Sequence, residues 1–369
     1  MQASVAEINL SAFRFNLKNI IQRVSPAKVM AIVKANAYGH GTVPVAHAAV
    51  QAGAAYLAVA LVEEGMELRE NGITVPILVF SGLQREQIEL FLQYDLEMTV
   101  YTVEAAEEIS RRAQNFGKTA KIQVKVDTGM GRVGCSYENA VKIIRKIIKL
   151  PYLEIVGIYT HFATSDEKDK TYANLQLDRF KGVLSELEKK NIHIPLKHAA
   201  NSGAVLDMAE SFFDMVRPGI MTYGWYPSDE TSESVPIKPV MTFKTRVLYI
   251  KRIQAGESVS YGREFIAAKP TRIATICVGY ADGYNRLLGN HGEVLIRGKK
   301  YPVVGRVCMD LIHADLGDNT EIQEGDEVVL FGKQGDAEIT VTEICEKLGT
   351  IPYEVCCWVS RRVPRVYVE

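Results

Sequence analysis

Polar residues that could do chemistry stand at the ends of short apolar runs. Lys34 closes the run Met30-Ala31-Ile32-Val33 and opens V-K-A-N-A-Y-G-H-G. A lysine there is costly to hold as a charge unless it is neutralised, paired or used covalently. Two readings fit it: a side chain that snorkels to the rim, or a desolvated amine able to attack an aldehyde. Further along come Asp127 and Arg132 in D-T-G-M-G-R, then Tyr159 and His161. After them stand Asn201 and Ser202 in H-A-A-N-S-G, and Arg217, Gly219 and Ile220 in R-P-G-I. Small residues in Asn-Ser-Gly and Pro-Gly-Ile let backbone N–H groups approach a phosphate, and Ser202 adds a hydroxyl. Each tripeptide alone reads as a turn. Together with the lysine they suit a phosphorylated aldehyde, and pyridoxal phosphate has both groups. Arg217 reads either as a rim ion pair or as the partner of the cofactor's ring nitrogen. A donor-only arginine would leave that nitrogen unprotonated, weaken the ring as an electron sink and suppress transamination.

These residues need elements that bring them to one rim. Over residues 11–220, β-branched runs alternate with amphipathic stretches. The spacing predicts about eight strands, at 28–34, 56–61, 75–81, 97–101, 121–127, 154–160, 195–199 and 214–216. Helical patterns at 11–24, 103–116, 138–150 and 172–190 are the clearest between them, the first placing Phe13, Leu17, Ile20 and Ile21 on one face. Regular strand-to-helix alternation requires a parallel sheet. About eight units suit a closed (β/α)₈ TIM barrel, whose catalytic groups sit where strands end. After the aperiodic 227–238 stretch the pattern becomes strands at 241–253, 271–279, 292–297, 301–307, 327–331 and 365–368, interrupted by a single helix at 341–348. The expected organisation is α/β plus β: a barrel over 1–230 and a mainly β domain over 231–369, with residues 1–10 available to pack with the latter.

The chain has 369 residues, with 43 Lys+Arg against 44 Asp+Glu and a net charge of −1, which argues against a dedicated nucleic-acid or membrane-surface binder. Apolar residues at 47% supply a large core and exclude a disordered chain. No export signal or membrane-spanning run is visible. The six cysteines are read as buried thiols of a reducing compartment, which makes a cytoplasmic enzyme the default. No His, Cys and Asp cluster has metal-ligand spacing, so no metal is expected. His40 and His47 are read as capping or packing groups.

The motifs V-K-A-N-A-Y-G-H-G (33–41), V-D-T-G-M-G-R (126–132), H-A-A-N-S (198–202) and R-P-G-I (217–220) resemble those of alanine racemase. So do V-S-Y-G-R (259–263), V-G-Y-A-D-G-Y (278–284), G-R-V-C-M-D (305–310) and R-R-V-P-R (361–365), in family order over nearly the whole chain. The resemblance implies a fold type III pyridoxal-phosphate isomerase that supplies D-alanine as a peptidoglycan precursor. It implies Lys34 as cofactor lysine and base on the D-alanine face, and Tyr261 as base on the L-alanine face. Tyr261 would reach the site from the other subunit of a homodimer, its phenolate favoured by positive charge such as His161 and Arg217. Arg132 and the Met309 backbone would hold the substrate carboxylate. Tyr38, Ser202, Gly219, Ile220 and Tyr353 would hold the phosphate, with Arg217 on the ring nitrogen, His161 near the ring and Asn201 near Arg217. Lys125, two residues before Asp127, is either an acid-paired lysine or, as in many family members, a carbamate that turns a cation beside Arg132 into an anion.

The stretch M-T-Y-G-W-Y-P-S after R-P-G-I departs from the family pattern through Trp225 and Tyr226. The competing readings are a broader-specificity racemase and a decarboxylase of the same architecture, the latter disfavoured by Arg217. A cofactor-binding protein without activity leaves Tyr261 and Cys308-Met309-Asp310 without purpose, and a class I aldolase would lack the cofactor.

Overall fold

The computed structural model describes residues 4–81 and 84–369; the first three of the ten N-terminal residues lie outside these. The chain divides into two compact units. One holds residues 13–37 and 42–238, the other residues up to 12, 38–41 and 239–369.

The first unit is a closed parallel barrel. Its strands are β1 (Lys28–Ile32), β2 (Tyr56–Val59), β3 (Ile77–Val79), β4 (Glu97–Val100), β5 (Ala120–Asp127), β6 (Leu153–Tyr159), β7 (Leu196–His198) and β8 (Met215–Val216). Each pairs with the next, and β8 returns to β1. Helices cover the outside because their apolar residues recur every three or four positions. Val103–Phe116 buries Ala106, Ile109, Ser110 and Ala113, starts on Thr102 accepting from the Ala105 N–H, and stops at left-handed Gly117. Thr171–Glu188 buries Ala173, Leu177, Phe180, Val183 and Leu187 in the same way. Each such large apolar side chain stabilises the fold by roughly 1.5–3 kcal/mol on full burial.

Inside, the period-2 alternation of the strands puts Glu97 and Thr99 in phase on β4, and Gln123 and Lys125 in phase on β5. The register sets Thr99 beside Gln123, Gln123 beside Gly157, and Lys125 beside Tyr159. Tyr159 in turn stands beside His198. All of these side chains are buried. The barrel therefore carries a polar interior column leading to its C-terminal rim.

The second unit is built on one long strand, Met241–Ile253. It pairs antiparallel with Val5–Asn9, Glu327–Gln334 and Thr271–Ile276 along successive parts of its length. Val5–Asn9 also pairs parallel with Arg365–Val368. Three sequence expectations are corrected here. The strand placed at 301–307 is Lys299–Pro302, because Arg297 and Gly298, both with positive φ, close a tight two-residue hairpin that pairs Ile296 with Lys299. The helix Val341–Leu348 is not the single helix of this region: Pro352 starts a second one, Pro352–Trp358. Ile312–Gly317 is a further strand, paired with Thr271–Ile276.

The cysteines are all free thiols, but only Cys135, Cys345 and Cys356 are buried; Cys357 is exposed. Trp225 is buried, and the Tyr226 hydroxyl donates to the Val235 carbonyl. Among the described residues, no helix is long and apolar enough to cross a membrane.

Candidate active site

The chain leaves β1 at Ile32, so Lys34 does not close a strand as its apolar run suggests. It opens a turn in which Ala35, Asn36, Ala37 and Tyr38 all have φ between 50 and 54°. Left-handed backbone costs an L-residue roughly 1–2 kcal/mol. Four in succession need fixed support, and strain of this kind gathers at functional sites. Support comes from the Val33 carbonyl, which accepts from the Ala37 N–H at 3.0 Å, and from Glu64, whose Oε1 accepts from the Ala35 N–H at 2.6 Å. Asn36 Oδ1 accepts from the Thr42 N–H at 3.1 Å. Lys34 itself is half-buried.

Arg217, just past β8, is 3% exposed. Its Nη1 donates to His198 Nδ1 at 2.9 Å. Its Nη2 reaches the Thr160 carbonyl at 2.7 Å, the Ala199 carbonyl at 3.0 Å and His161 Nδ1 at 3.2 Å. Among the described residues no carboxylate pairs with it. Burial lowers the guanidinium to about 10.

Lys125 is also 3% exposed, and its Nζ has no hydrogen-bond partner; it lies 5.1 Å over the Tyr159 ring. Burial, then the charges of Arg217 and Arg132, push its amine down to about 7. Asp127 does not pair with it: Asp127 Oδ1 accepts from the Gly129 N–H at 2.9 Å and shapes the D-T-G-M-G-R loop. Arg132, at the end of that loop, is exposed.

His161 is held well below its ordinary value, first by burial and then by Arg217, Lys125, Arg132 and Lys34. Four cations therefore surround it. The sequence expectation that His161 contributes positive charge is corrected: it is neutral, and Arg217 supplies the charge.

The two small-residue loops meet, the Gly219 N–H donating to buried Ser202 Oγ at 2.9 Å. Ile220 follows as the first residue of a short turn, Ile220–Tyr223. Asn201 caps the short helix Ser202–Asp207, its Oδ1 accepting from the Ala204 N–H at 3.1 Å and from Ser165 Oγ at 2.7 Å.

The second unit carries the remaining candidates. The Tyr38 and Tyr353 rings meet edge to face, with centroids 5.8 Å apart, and burial pushes the Tyr38 hydroxyl strongly upward. Tyr261 is 70% exposed, on a turn where Ser260, Gly262 and Arg263 all have positive φ. Ser260 Oγ donates to the Arg306 carbonyl at 2.6 Å, which ties the turn to the 305–310 segment. Met309, 53% exposed, has its carbonyl engaged by the Ala281 N–H at 3.0 Å. Gly279 is required beside it, since a Cβ there would lie 2.2 Å from that carbonyl oxygen.

His40 Nδ1 donates to the Tyr38 carbonyl at 2.9 Å, and His47 bonds the Asn71 carbonyl. Sequence reasoning missed Glu97, Gln123 and the role of His198. Their signal is polar residues at alternate positions of otherwise apolar strands. A cavity of about 700 Å³ between the helices Ala140–Ile147 and Thr171–Glu188 holds none of the candidates. Among the described residues, no group of His, Cys, Asp and Glu could hold a metal ion.

The family described as "Alanine racemase, N-terminal domain" matches residues 8–227, and "Alanine racemase, C-terminal domain" matches residues 240–367. An alanine racemase 2 of Caldanaerobacter subterraneus is 48% identical over 364 residues, 98% of this chain and 94% of that protein. The alanine racemase of Halothermothrix orenii is 47% identical over 98% of this chain and 96% of its own length. Among solved structures, alanine racemase of Clostridium difficile 630 superposes with a TM-score of 0.96 at 41% identity, covering 100% of this chain and 96% of that one. The Bartonella henselae alanine racemase, described with covalently bound pyridoxal phosphate, gives 0.90 at 31% identity, with full coverage of both chains.

Proposed function

The chain belongs to the alanine racemase family and interconverts L- and D-alanine, and we propose that it does so with Lys34 and Tyr261 as the two bases and with pyridoxal phosphate as its cofactor. The observation that carries the cofactor assignment is the buried Arg217, which bonds two histidines and two backbone carbonyls through Nη1 and Nη2 and, among the described residues, pairs with no carboxylate. The residues fit the group. Lys34, Arg132 and Arg217, grouped about His161, suit an anionic ligand, and a strained turn fixes the lysine that would carry it. When bound, pyridoxal phosphate supplies the conjugated electron-accepting system that lets alanine Cα give up its proton.

Lys34 would hold the cofactor through Nζ, with Arg217 serving its ring nitrogen and His161 its ring. Tyr38, Ser202, Gly219, Ile220 and Tyr353 would hold the phosphate, and Asn201 steadies the loop beside Ser202. Arg132 and the Met309 backbone bind the carboxylate of alanine. Racemisation removes a proton from one face of Cα and returns one to the other, so one group must stand on each face. Lys34 Nζ serves the D-alanine face and Tyr261 Oη the L-alanine face.

Tyr261 acts in the partner subunit of a homodimer. Its exposure supports this, as does that of Tyr280 and Met309 on hydrogen-bonded neighbouring segments: a proton-transfer group left in water is a poor catalyst. Lys125 carries a carbamate, which would supply acceptors for Arg132 and end the repulsion that an unpartnered buried ammonium suffers. The protein works in the cytoplasm, where its free thiols stay reduced, and supplies D-alanine for peptidoglycan.

A decarboxylase of the same architecture is not favoured, because the ring-nitrogen position would be held by an arginine without an acid. The test is racemisation measured from each enantiomer separately, together with the cofactor's visible absorption. A racemase removes optical rotation from both L- and D-alanine without releasing carbon dioxide; release of carbon dioxide would contradict the assignment.

A further inference from the structure

A chain of buried hydrogen bonds runs through the barrel from Arg217 to Glu97, at the opposite end of the strands. Arginine only donates, so His198 Nδ1, 2.9 Å from Arg217 Nη1, must accept, and the ring proton sits on Nε2. That proton is given to Gln123 Oε1 at 2.7 Å. With its oxygen so used, Gln123 turns its amide nitrogen toward Glu97 and donates to Oε2 at 2.5 Å. His198 and Gln123 are wholly buried and Glu97 is 3% exposed. Each link sets the sense of the next, from the donor-only arginine to the Glu97 carboxyl oxygen that accepts at the far end.

The surroundings are built for this chain. Tyr159 stacks on His198 with centroids 4.9 Å apart and an angle of 9°, and Thr99 Oγ1 lies 2.9 Å from the Tyr159 hydroxyl. Gly157 leaves room for the glutamine, since a Cβ there would lie 2.8 Å from Gln123 Oε1. Burial raises the Glu97 carboxyl to about 7, while the hydrogen bonds from Gln123 and the Tyr56 hydroxyl oppose that rise. Among the described residues Arg217 has no carboxylate of its own, so this chain is its link to a buried acid.

We propose that Glu97 and Gln123 are positioning residues for the racemase: through His198 they hold the Arg217 guanidinium in the orientation in which its remaining N–H groups meet the cofactor's ring nitrogen. The proposal rests on the assignment of Arg217 to that nitrogen. Neither residue is among those proposed to hold cofactor or substrate. Loss of Glu97 frees the Gln123 amide to turn over and donate to His198 Nε2, which drives the ring proton to Nδ1 and against Arg217.

The experiment uses holoenzyme labelled with ¹⁵N-histidine, comparing the wild type with Glu97→Leu, Glu97→Gln and Gly157→Ala. Nitrogen shifts report the His198 tautomer, kinetics separate kcat from KM, and absorption reports the cofactor. In Glu97→Leu the Nδ1–H tautomer of His198 emerges, the absorption band shifts and kcat falls roughly ten-fold with KM unchanged, the scale of loss typical of outer hydrogen-bond partners. Glu97→Gln keeps an acceptor oxygen and recovers most of the wild-type tautomer and kcat. Gly157→Ala keeps every polar group but displaces Gln123, and reproduces the effect should Glu97→Leu not fold. A single Nε2–H tautomer with wild-type kcat in every variant that folds overturns the proposal. A changed tautomer with kcat and absorption unchanged also overturns it, and then the Arg217 assignment, not the hydrogen-bond chain, has failed.

Discussion

At the barrel rim Arg217 and Lys125 are each 3% exposed, whereas in the strand-rich unit Tyr261 and Met309 are 70% and 53% exposed. Both regions use strained backbone, at residues 35–37 in one and at Ser260, Gly262 and Arg263 in the other. The barrel group is buried, supported by strand ends and tuned by its neighbours' charges. The Tyr261 turn is tied at its base by Ser260 and presents its ring outward. A proton-transfer residue so presented needs a second surface to exclude water. In the proposed function this contrast separates cofactor binding at a prearranged rim from a second base that assembly would complete.

The largest effect that could break this division is expected at Lys34. Lys34→Ala should lower racemisation in both directions by at least about 10²–10⁴-fold, the span of general acid–base catalysis, and abolish the cofactor's visible band. Retained activity with a retained band would place the cofactor elsewhere.

Tyr261→Phe should come next. Its loss, about 10²-fold or more, should fall mainly on proton removal from L-alanine and much less on removal from D-alanine, as measured by solvent deuterium uptake from each enantiomer. Equal losses would contradict the two-base assignment. Mixing Lys34→Ala with Tyr261→Ala should restore activity if intact sites are assembled from two chains. No recovery after verified subunit exchange would confine each site to one chain.

Lys125 sharpens the account of the rim. Its unmodified amine falls from 10.5 to about 7 in the folded protein, so between those values the unfolded chain binds the extra proton. Unfolding free energy should therefore rise with pH from about 7 to 10.5 in bicarbonate-free buffer, and Lys125→Met should flatten that slope. Carbamate formation needs the neutral amine, so bicarbonate should stabilise the wild type above pH 7 and not the variant. A bicarbonate effect equal in both proteins would remove Lys125 from the explanation.

The smallest effect is expected at Ser202. Ser202→Ala removes one hydroxyl and should weaken cofactor affinity by about 0.5–1.5 kcal/mol, read by equilibrium titration with pyridoxal phosphate. Unchanged affinity would limit Ser202 to holding Gly219.

The barrel strands were legible because each is a short apolar run between helical patterns, and β4, β5 and β7 begin within a residue or so of where the sequence puts them. The turn after Lys34 was not. Ala, Ala and Tyr carry no preference for positive φ, and the supporting bonds come from Glu64 and Thr42. The depressed His161 imidazole is not legible in the sequence, because it comes first from burial in the folded barrel and then from cations scattered over the chain. The exposure of Tyr261 was likewise invisible, and only its motif singled it out. Glu97 and Gln123 looked like ordinary strand residues, since their meeting depends on barrel closure between β4 and β5. Val5–Asn9 and Ile312–Gly317 were missed because their partners lie far away in sequence.

The central claim is that one half-buried amine, Lys34 Nζ, carries the cofactor. Borohydride reduction of the purified holoenzyme, followed by peptide mapping, tests it most directly. The pyridoxyl label is predicted on the peptide containing Lys34 alone; a label on Lys125 or any other lysine, or none at all, would contradict the account.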